Sequence, residues 1–210
     1  MKRREALKNL GLSLGTITIT PTVLGLLQSC QEDLGWNPVF FNKKHIKIIS
    51  DISDLIIPSD DKVPGSKELN LIKFIDLYVL NVNSKNDQNL LFDSTNFFME
   101  DCLIKSNKIS LDDIDSIDIE KSLDYYFNSN NNKWRSDFSK FEKDTSRINS
   151  EETLEANSYH FLSTIRQLTI TAFKGNEFIG EKVLAYSPIP GQQKGCVDLE
   201  ETTGGRAWSL

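Results

Sequence analysis

His45 and His160 are the only imidazoles among the 210 residues, and general acid–base chemistry by histidine would have to begin with one of them. His45 sits among Lys43, Lys44 and Lys47 and is expected on a solvated helix face. His160 lies between Tyr159 and Phe161 with no catalytic partner that spacing identifies, so a packed histidine is expected rather than a base. Asp112, Asp113, Asp115 and Asp118 gather four acids. They lack the glycine and the spaced ligands of an EF-hand loop, and an acidic helix start is the expectation. Asp60-Asp61 ahead of Pro64-Gly65 reads as a turn. Trp134 and Trp208 have faces that stack on sugars, although aromatic side chains more often serve cores and interfaces. The chain has no Gly-x-Gly-x-x-Gly after a strand, no Cys-x-x-Cys-His, no Gly-x-Ser-x-Gly, no phosphate loop and no His-Glu-x-x-His. Accordingly no catalytic, metal-binding or cofactor-binding residue is assigned.

Cys30 has a more definite chemistry. Leu27-Gln28-Ser29-Cys30 places Leu three residues before a cysteine and a small residue directly before it, which resembles the lipobox of bacterial lipoproteins. Such a thiol receives a diacylglycerol, and each buried CH₂ contributes about 0.8 kcal/mol to membrane anchoring. The residues before it fit that reading. Lys2, Arg3, Arg4 and Lys8 form a positive start against Glu5 alone, and Gly11 to Leu27 is uncharged. That stretch is interrupted by Pro21 and is short for a membrane span, which needs about 20 apolar residues. A charged n-region before a short apolar segment marks a signal peptide, and Arg3-Arg4 with Leu7 and Lys8 resembles a twin-arginine signal. Residues 1–29 are therefore expected to be a leader and residues 30–41 a tether from a lipid on Cys30. Residues 42–210 are expected to form one domain.

Four positive residues and one negative leave with the leader, so the net charge falls from −6 to −9 over the remaining 181 residues. An acidic chain argues against nucleic acid as a partner, and against an anionic membrane surface except through the lipid. Cys102 and Cys196 remain. Outside the cytoplasm they can pair, stay free or bond a partner chain, and an intramolecular disulfide is expected.

Periodicity predicts a mainly α protein. Asn42 caps a helix to Ile57, with Ile46, Ile49, Ile52 (or Ser53) and Ile56 on its inner face, and Pro58 stops it. Ser59 to Ser66 reads as a loop. Helices follow at about 70–82, within 87–106, at 119–127 and at 133–145. Ser110 to Asp113 reads as a helix start. The longest helix, about Glu151 to Lys174, is apolar on more than one stripe and is expected at the centre, with Gly175 as its C-cap. A short helix near Glu177 to Leu184 precedes an extended tail rich in Pro and Gly.

The order of motifs resembles the small subunit, subunit 3, of membrane-bound gluconate 2-dehydrogenase. Ile56-Ile57-Pro58 followed by Val63-Pro64-Gly65-Ser66-Lys67 is similar to that family's Ile-Ile-Pro…Thr-Pro-Gly-Ala motif, with Val63 and Ser66 in place of Thr and Ala. Phe74-Ile75-Asp76, Phe161-Leu162 through Arg166 to Leu168-Thr169, and Glu177-Phe178-Ile179-Gly180 follow in order. Leu184-Ala185-Tyr186, Pro190-Gly191, Gly195-Cys196 and Trp208 complete the likeness. An Arg-Arg signal is also typical of that family.

The resemblance implies a non-catalytic accessory subunit that holds no cofactor itself. It implies a large FAD-containing partner of the glucose-methanol-choline type, which oxidises a sugar or sugar acid, and a cytochrome c or other electron acceptor. It also implies that the signal can carry the folded partner out of the cytoplasm. Pro58 to Ser66 and the tail from Ser187 to Trp208 are irregular yet rich in the shared motif residues. Pro58, Pro64, Gly65, Tyr186, Pro190, Gly191 and Trp208 are therefore the expected docking residues. The competing reading is an independent periplasmic or surface lipoprotein that binds a glycan or another ligand. A third, an enzyme in its own right, has no constellation to support it.

Overall fold

The computed structural model describes residues 35–127, 151–187, 189, 191 and 196–209. The leader with Arg3, Arg4 and Cys30, the helix expected at 133–145 with Trp134, and Pro190 lie outside those residues. Six α-helices are described: α1 (Lys43–Ile56), α2 (Leu71–Val82), α3 (Lys85–Ser106), α4 (Ser116–Phe127), α5 (Glu151–Lys174) and α6 (Leu199–Thr203). A 3₁₀ turn (Leu111–Asp113) precedes α4, and a π-helical turn (Ile179–Val183) follows α5.

Each boundary has a local cause. Asn42 accepts a hydrogen bond from His45 N at 2.9 Å and starts α1. Pro58 excludes its predecessor from the helical region, and Ile57 leaves at φ −129°. α2 is closed from outside, because the buried side-chain amide of Gln88 reaches Val79 O, Leu80 O and Asn83 O at 3.0, 2.8 and 3.1 Å. Those are the carbonyls that a helix end leaves without partners. Ser84 caps α3, and Asn107 ends it in the left-handed conformation at φ 54°.

The core forms around α5, which packs mainly on α3 and also on α1 and α2. Ala156, Phe161, Leu162, Ile165, Leu168 and Ala172 are all buried along it. Phe161 meets Phe98 of α3 with ring centroids 4.9 Å apart. Small polar groups are satisfied inside this contact: Ser53 Oγ lies 3.0 Å from Thr169 Oγ1, and Ser94 Oγ donates to Asn157 Oδ1 at 3.2 Å. The mainly helical class and the central longest helix stand as expected.

Pro38–Leu210 forms one compact unit, in which Phe41 is buried and residues 39–41 are bonded to α2. One expectation is corrected. The end of the chain is not simply extended. Asp198 caps α6, Gly204 closes it at φ 62°, and residue 208 returns to residue 185 in an isolated parallel bridge.

Candidate functional site

The Pro58–Ser66 loop is closed by its own backbone. Asp60 Oδ1 accepts from Lys62 N and Val63 N at 2.7 and 2.8 Å, which holds its carboxyl below the usual range. Asp60 N donates to Val63 O at 3.0 Å, and Ser66 N donates to Ile57 O at 2.9 Å. Gly65 is buried where the two ends of the loop cross. An added Cβ would stand 2.5 Å from Ser59 N and 2.9 Å from the Pro58 carbonyl carbon. Glu68 Oε2 accepts from Gly65 N at 3.1 Å, and Lys67 Nζ lies 3.4 and 3.3 Å from the Asp51 and Asp54 carboxylates of α1. Of the expected contact residues here, Gly65 faces inward, Pro64 is half-buried and Pro58 is exposed.

The C-terminal closure is a second irregular site. Ala185 N donates to Ala207 O at 2.8 Å, and Ser209 N donates to Ala185 O at 2.9 Å. Gly180 of the π-helical turn lies under Ser209, whose Oγ would be 3.2 Å from an added Cβ. The backbone is thereby fixed, while the side chains beside it remain outside. Tyr186 is 52% and Trp208 53% exposed, and Phe178 and Ile189 are exposed as well. Gly191 is exposed at φ 68°.

The remaining candidates resolve one by one. His45 is buried, against the expectation of a solvated ring. The helix start at Asn42 turns it toward Phe92, whose ring lies 4.8 Å away, and Nε2 bonds Asn96 Oδ1 at 3.0 Å. Because Asn96 Nδ2 donates to Phe92 O, its Oδ1 is the free acceptor and His45 Nε2 carries the proton. Desolvation lowers the His45 pKa. His160 is partly buried, and burial brings its pKa down to about 4, opposed by Asp87.

The acidic run serves a helix start. Asp115 Oδ1 accepts from Ile117 N and Asp118 N at 3.0 Å each, and Lys108 bonds Asp115 and Asp118. No cluster of three His, Cys, Asp or Glu able to hold a metal occurs among the described residues.

The expected Cys102–Cys196 disulfide is absent, and both thiols are free. Cys102 is buried in the contact between α3 and α4, 3.6 Å from Ser122 Oγ, whereas Cys196 lies exposed in the tail. A sulfur enclosed by two helices is out of reach of a surface thiol unless the contact opens.

Two polar constellations escaped the sequence reading. Asp76 is fully buried on α2 and accepts from Val39 N, Phe40 N and Phe41 N at 2.7, 3.1 and 2.8 Å. Asp101, also buried, accepts from Lys105 Nζ at 2.7 Å and from Tyr126 Oη at 2.8 Å. The Lys105 ammonium stands 4.3 and 4.6 Å from the ring centres of Tyr125 and Tyr126, and 3.7 Å from Glu155. Burial raises the Asp101 pKa against the pull of Lys105. The network ties α3, α4 and α5 together, and its internal pairing suits a structural role. Asp76 sits inside the shared Phe-Ile-Asp motif, the one signal that pointed toward it.

No curated protein and no solved structure matches the chain. A sequence model described as gluconate 2-dehydrogenase subunit 3 matches residues 43–191, from the first residue of α1 to the Pro-Gly step after the closure. That span includes the Ile57–Ser66 crossing, the Asp76 clamp and the central helix α5. The name implies association with a dehydrogenase complex, and by this match the chain belongs to the gluconate 2-dehydrogenase subunit 3 family.

Proposed function

We propose that this chain is a non-catalytic accessory subunit that docks on an FAD-dependent sugar or sugar-acid dehydrogenase of the glucose-methanol-choline type. It assists export and assembly of that partner. In this reading Arg3-Arg4 directs export, the lipid on Cys30 holds the complex on the periplasmic side of a membrane, and a cytochrome c subunit takes the electrons. The family match over 43–191 carries the proposal. The C-terminal closure supports it as the docking site. An aromatic ring held on a fixed backbone loses little freedom on binding, and buried aromatic anchors dominate interface energies. Tyr186 and Trp208 are of that kind. In the Pro58–Ser66 loop the contact falls to Pro58 and the exposed Asp60–Lys62 turn, with Gly65 shaping the loop from within.

The test is expression of the full chain with its genomic neighbours, capture from membranes on a tag after Leu210, and absorbance and mass spectra of the eluate. A co-eluting flavoprotein with flavin bands is expected, and Trp208→Ala together with Tyr186→Ala should reduce its yield tenfold or more, about 1.4 kcal/mol or above. A colourless chain eluting alone beside expressed neighbours would overturn the proposal and favour the independent glycan-binding lipoprotein.

A further inference from the structure

His45 closes the first turn of α1 on a cluster that holds the residues just ahead of the helix. Its backbone N–H is the donor that Asn42 Oδ1 accepts at 2.9 Å. Its ring makes T-shaped contacts with Phe41, at 6.0 Å between centroids, and with Phe92 of α3, at 4.8 Å. Phe40 in turn meets Phe92 at 6.2 Å. The backbone of residues 39–41 is bonded to the Asp76 carboxylate of α2. Residues 39–45 are therefore a joint between α1, α2 and α3.

This joint suits a neutral imidazole. The His45 residue is 1% exposed, Nε2 donates to Asn96 Oδ1 at 3.0 Å, and Nδ1 is buried with no hydrogen-bond partner among the described residues. A second proton would make Nδ1 a buried donor without an acceptor, and a buried unsatisfied donor is destabilising, more so when charged. It would also set a cation in the first turn of a helix, at the positive end of the dipole. The groups that face the ring are Phe41 ahead of α1, and Phe92 and Asn96 of α3. None of them titrates. Lys43 and Lys44 of α1 and Asp93 of α3 are exposed, and the Asp76 carboxylate is taken by the backbone of residues 39–41. Burial lowers the His45 pKa against the Asn96 bond, and no charge from α2, α4 or α5 contributes among the described residues.

We infer that His45 is an acid-sensitive latch: when its ring takes a second proton, the first turn of α1 and residues 39–42 ahead of it loosen from α2 and α3, while the core around α5 stays closed. The direction follows from proton binding. An opened joint exposes the imidazole to water, where it takes a proton near pH 6.5, and the closed joint disfavours that proton. Opening therefore becomes easier as pH falls below about 6.5, by at most about tenfold per pH unit. The latch sets how firmly the domain grips the chain that enters it.

Hydrogen exchange of the full chain, purified from membranes in detergent, tests this by mass spectrometry of peptides covering residues 39–46 and 161–168 at pH 7 and pH 5. Rates are divided by the intrinsic amide rate at each pH, so that they report opening. Opening at 39–46 should rise about threefold or more from pH 7 to pH 5 and exceed that at 161–168 at both. His45→Gln, whose amide can still donate to Asn96, should remove most of the rise. Asn96→Asp, at an exposed position, gives the imidazolium a carboxylate partner and should keep 39–46 closed at pH 5. Equal opening at the two pH values in the parent overturns the latch, as does opening at 39–46 no faster than at 161–168. A rise undiminished in either variant overturns it too and moves the acid response to the Asp76 carboxylate.

Discussion

Gly65→Ala separates two opposing physical effects. The φ of Gly65 is not in the left-handed region, so alanine is allowed there conformationally. Through the unfolded chain alone, the change would stabilise by about 0.4–1 kcal/mol. Sterics act the other way. The new Cβ would meet Ser59 N at 2.5 Å, the Pro58 carbonyl carbon at 2.9 Å and Ile57 O at 3.0 Å, and all three are backbone atoms that no rotamer change can move. Restoring ordinary contact requires the crossing strands of the loop to part by roughly 1 Å. That shift costs about 1–3 kcal/mol as overpacking and endangers the 2.9 Å bond from Ser66 N to Ile57 O, worth about 1 kcal/mol. The net expectation is a loss of about 1–3 kcal/mol. For a domain of this size, at about 3 °C per kcal/mol, Tm falls by about 3–9 °C. Thermal unfolding of a non-lipidated Cys30→Ser protein, followed by circular dichroism, measures it. Gly204→Ala is the counterpart. It has open space around its Cβ but φ 62°, so only backbone strain of about 1–2 kcal/mol applies. A Tm for Gly65→Ala equal to or above the parent's would refute the steric reading and return the loop motif to a purely functional explanation.

Other outcomes follow from the same contacts. Asp76→Ala removes the acceptor of three N–H groups and should cost about 3 kcal/mol, with amide exchange at residues 39–41 speeding up; unchanged exchange there would show that the clamp is dispensable. Burial pushes the Cys102 thiol up to about 12, so with Cys30 acylated one thiol per chain, Cys196, should react with Ellman's reagent in the native state and two after denaturation. Two slow native thiols, or none in either state, would contradict free cysteines of unequal exposure. His45 and His160 have folded pKa values lowered by burial, so the unfolded chain binds more protons than the folded one below about pH 6.5. Stability should therefore fall as pH drops toward about 4, with Asp101, raised by burial, partly offsetting the loss at the acid end. Urea midpoints along this range should show the slope, and His160→Gln should flatten it; an unchanged slope in that variant would remove His160 from the account.

Much of the helical frame was legible before any tertiary information. Asn42, Pro58 and Ser110 act on backbone groups within a few residues of themselves, and the inner face of α1 follows from the periodic placement of Ile46, Ile49 and Ile52. The apolar α5 could only be central, since a helix rich in apolar residues on several sides must be enclosed on several sides. The apolar period places the start of α3 two residues late, because Ser84 caps a polar first turn where that period has not yet begun.

What sequence could not provide depends on partners far along the chain. The flanking lysines predict a solvated His45, yet Asn96, 51 residues away, bonds its ring. Asp76 reads as one more acid on a helix until the backbone 35 to 37 residues earlier delivers three donors to it. Asp101 and Lys105 form a visible i,i+4 pair, but Tyr126 and Glu155 join them only through packing of α3 with α4 and α5. The fate of the cysteines turned on burial, and the form of the tail on a bridge between residues 185 and 208. Local order depends on neighbours a turn apart and is written into spacing. Long-range pairing of polar groups depends on which helix faces meet, and that is decided only when the core closes around α5.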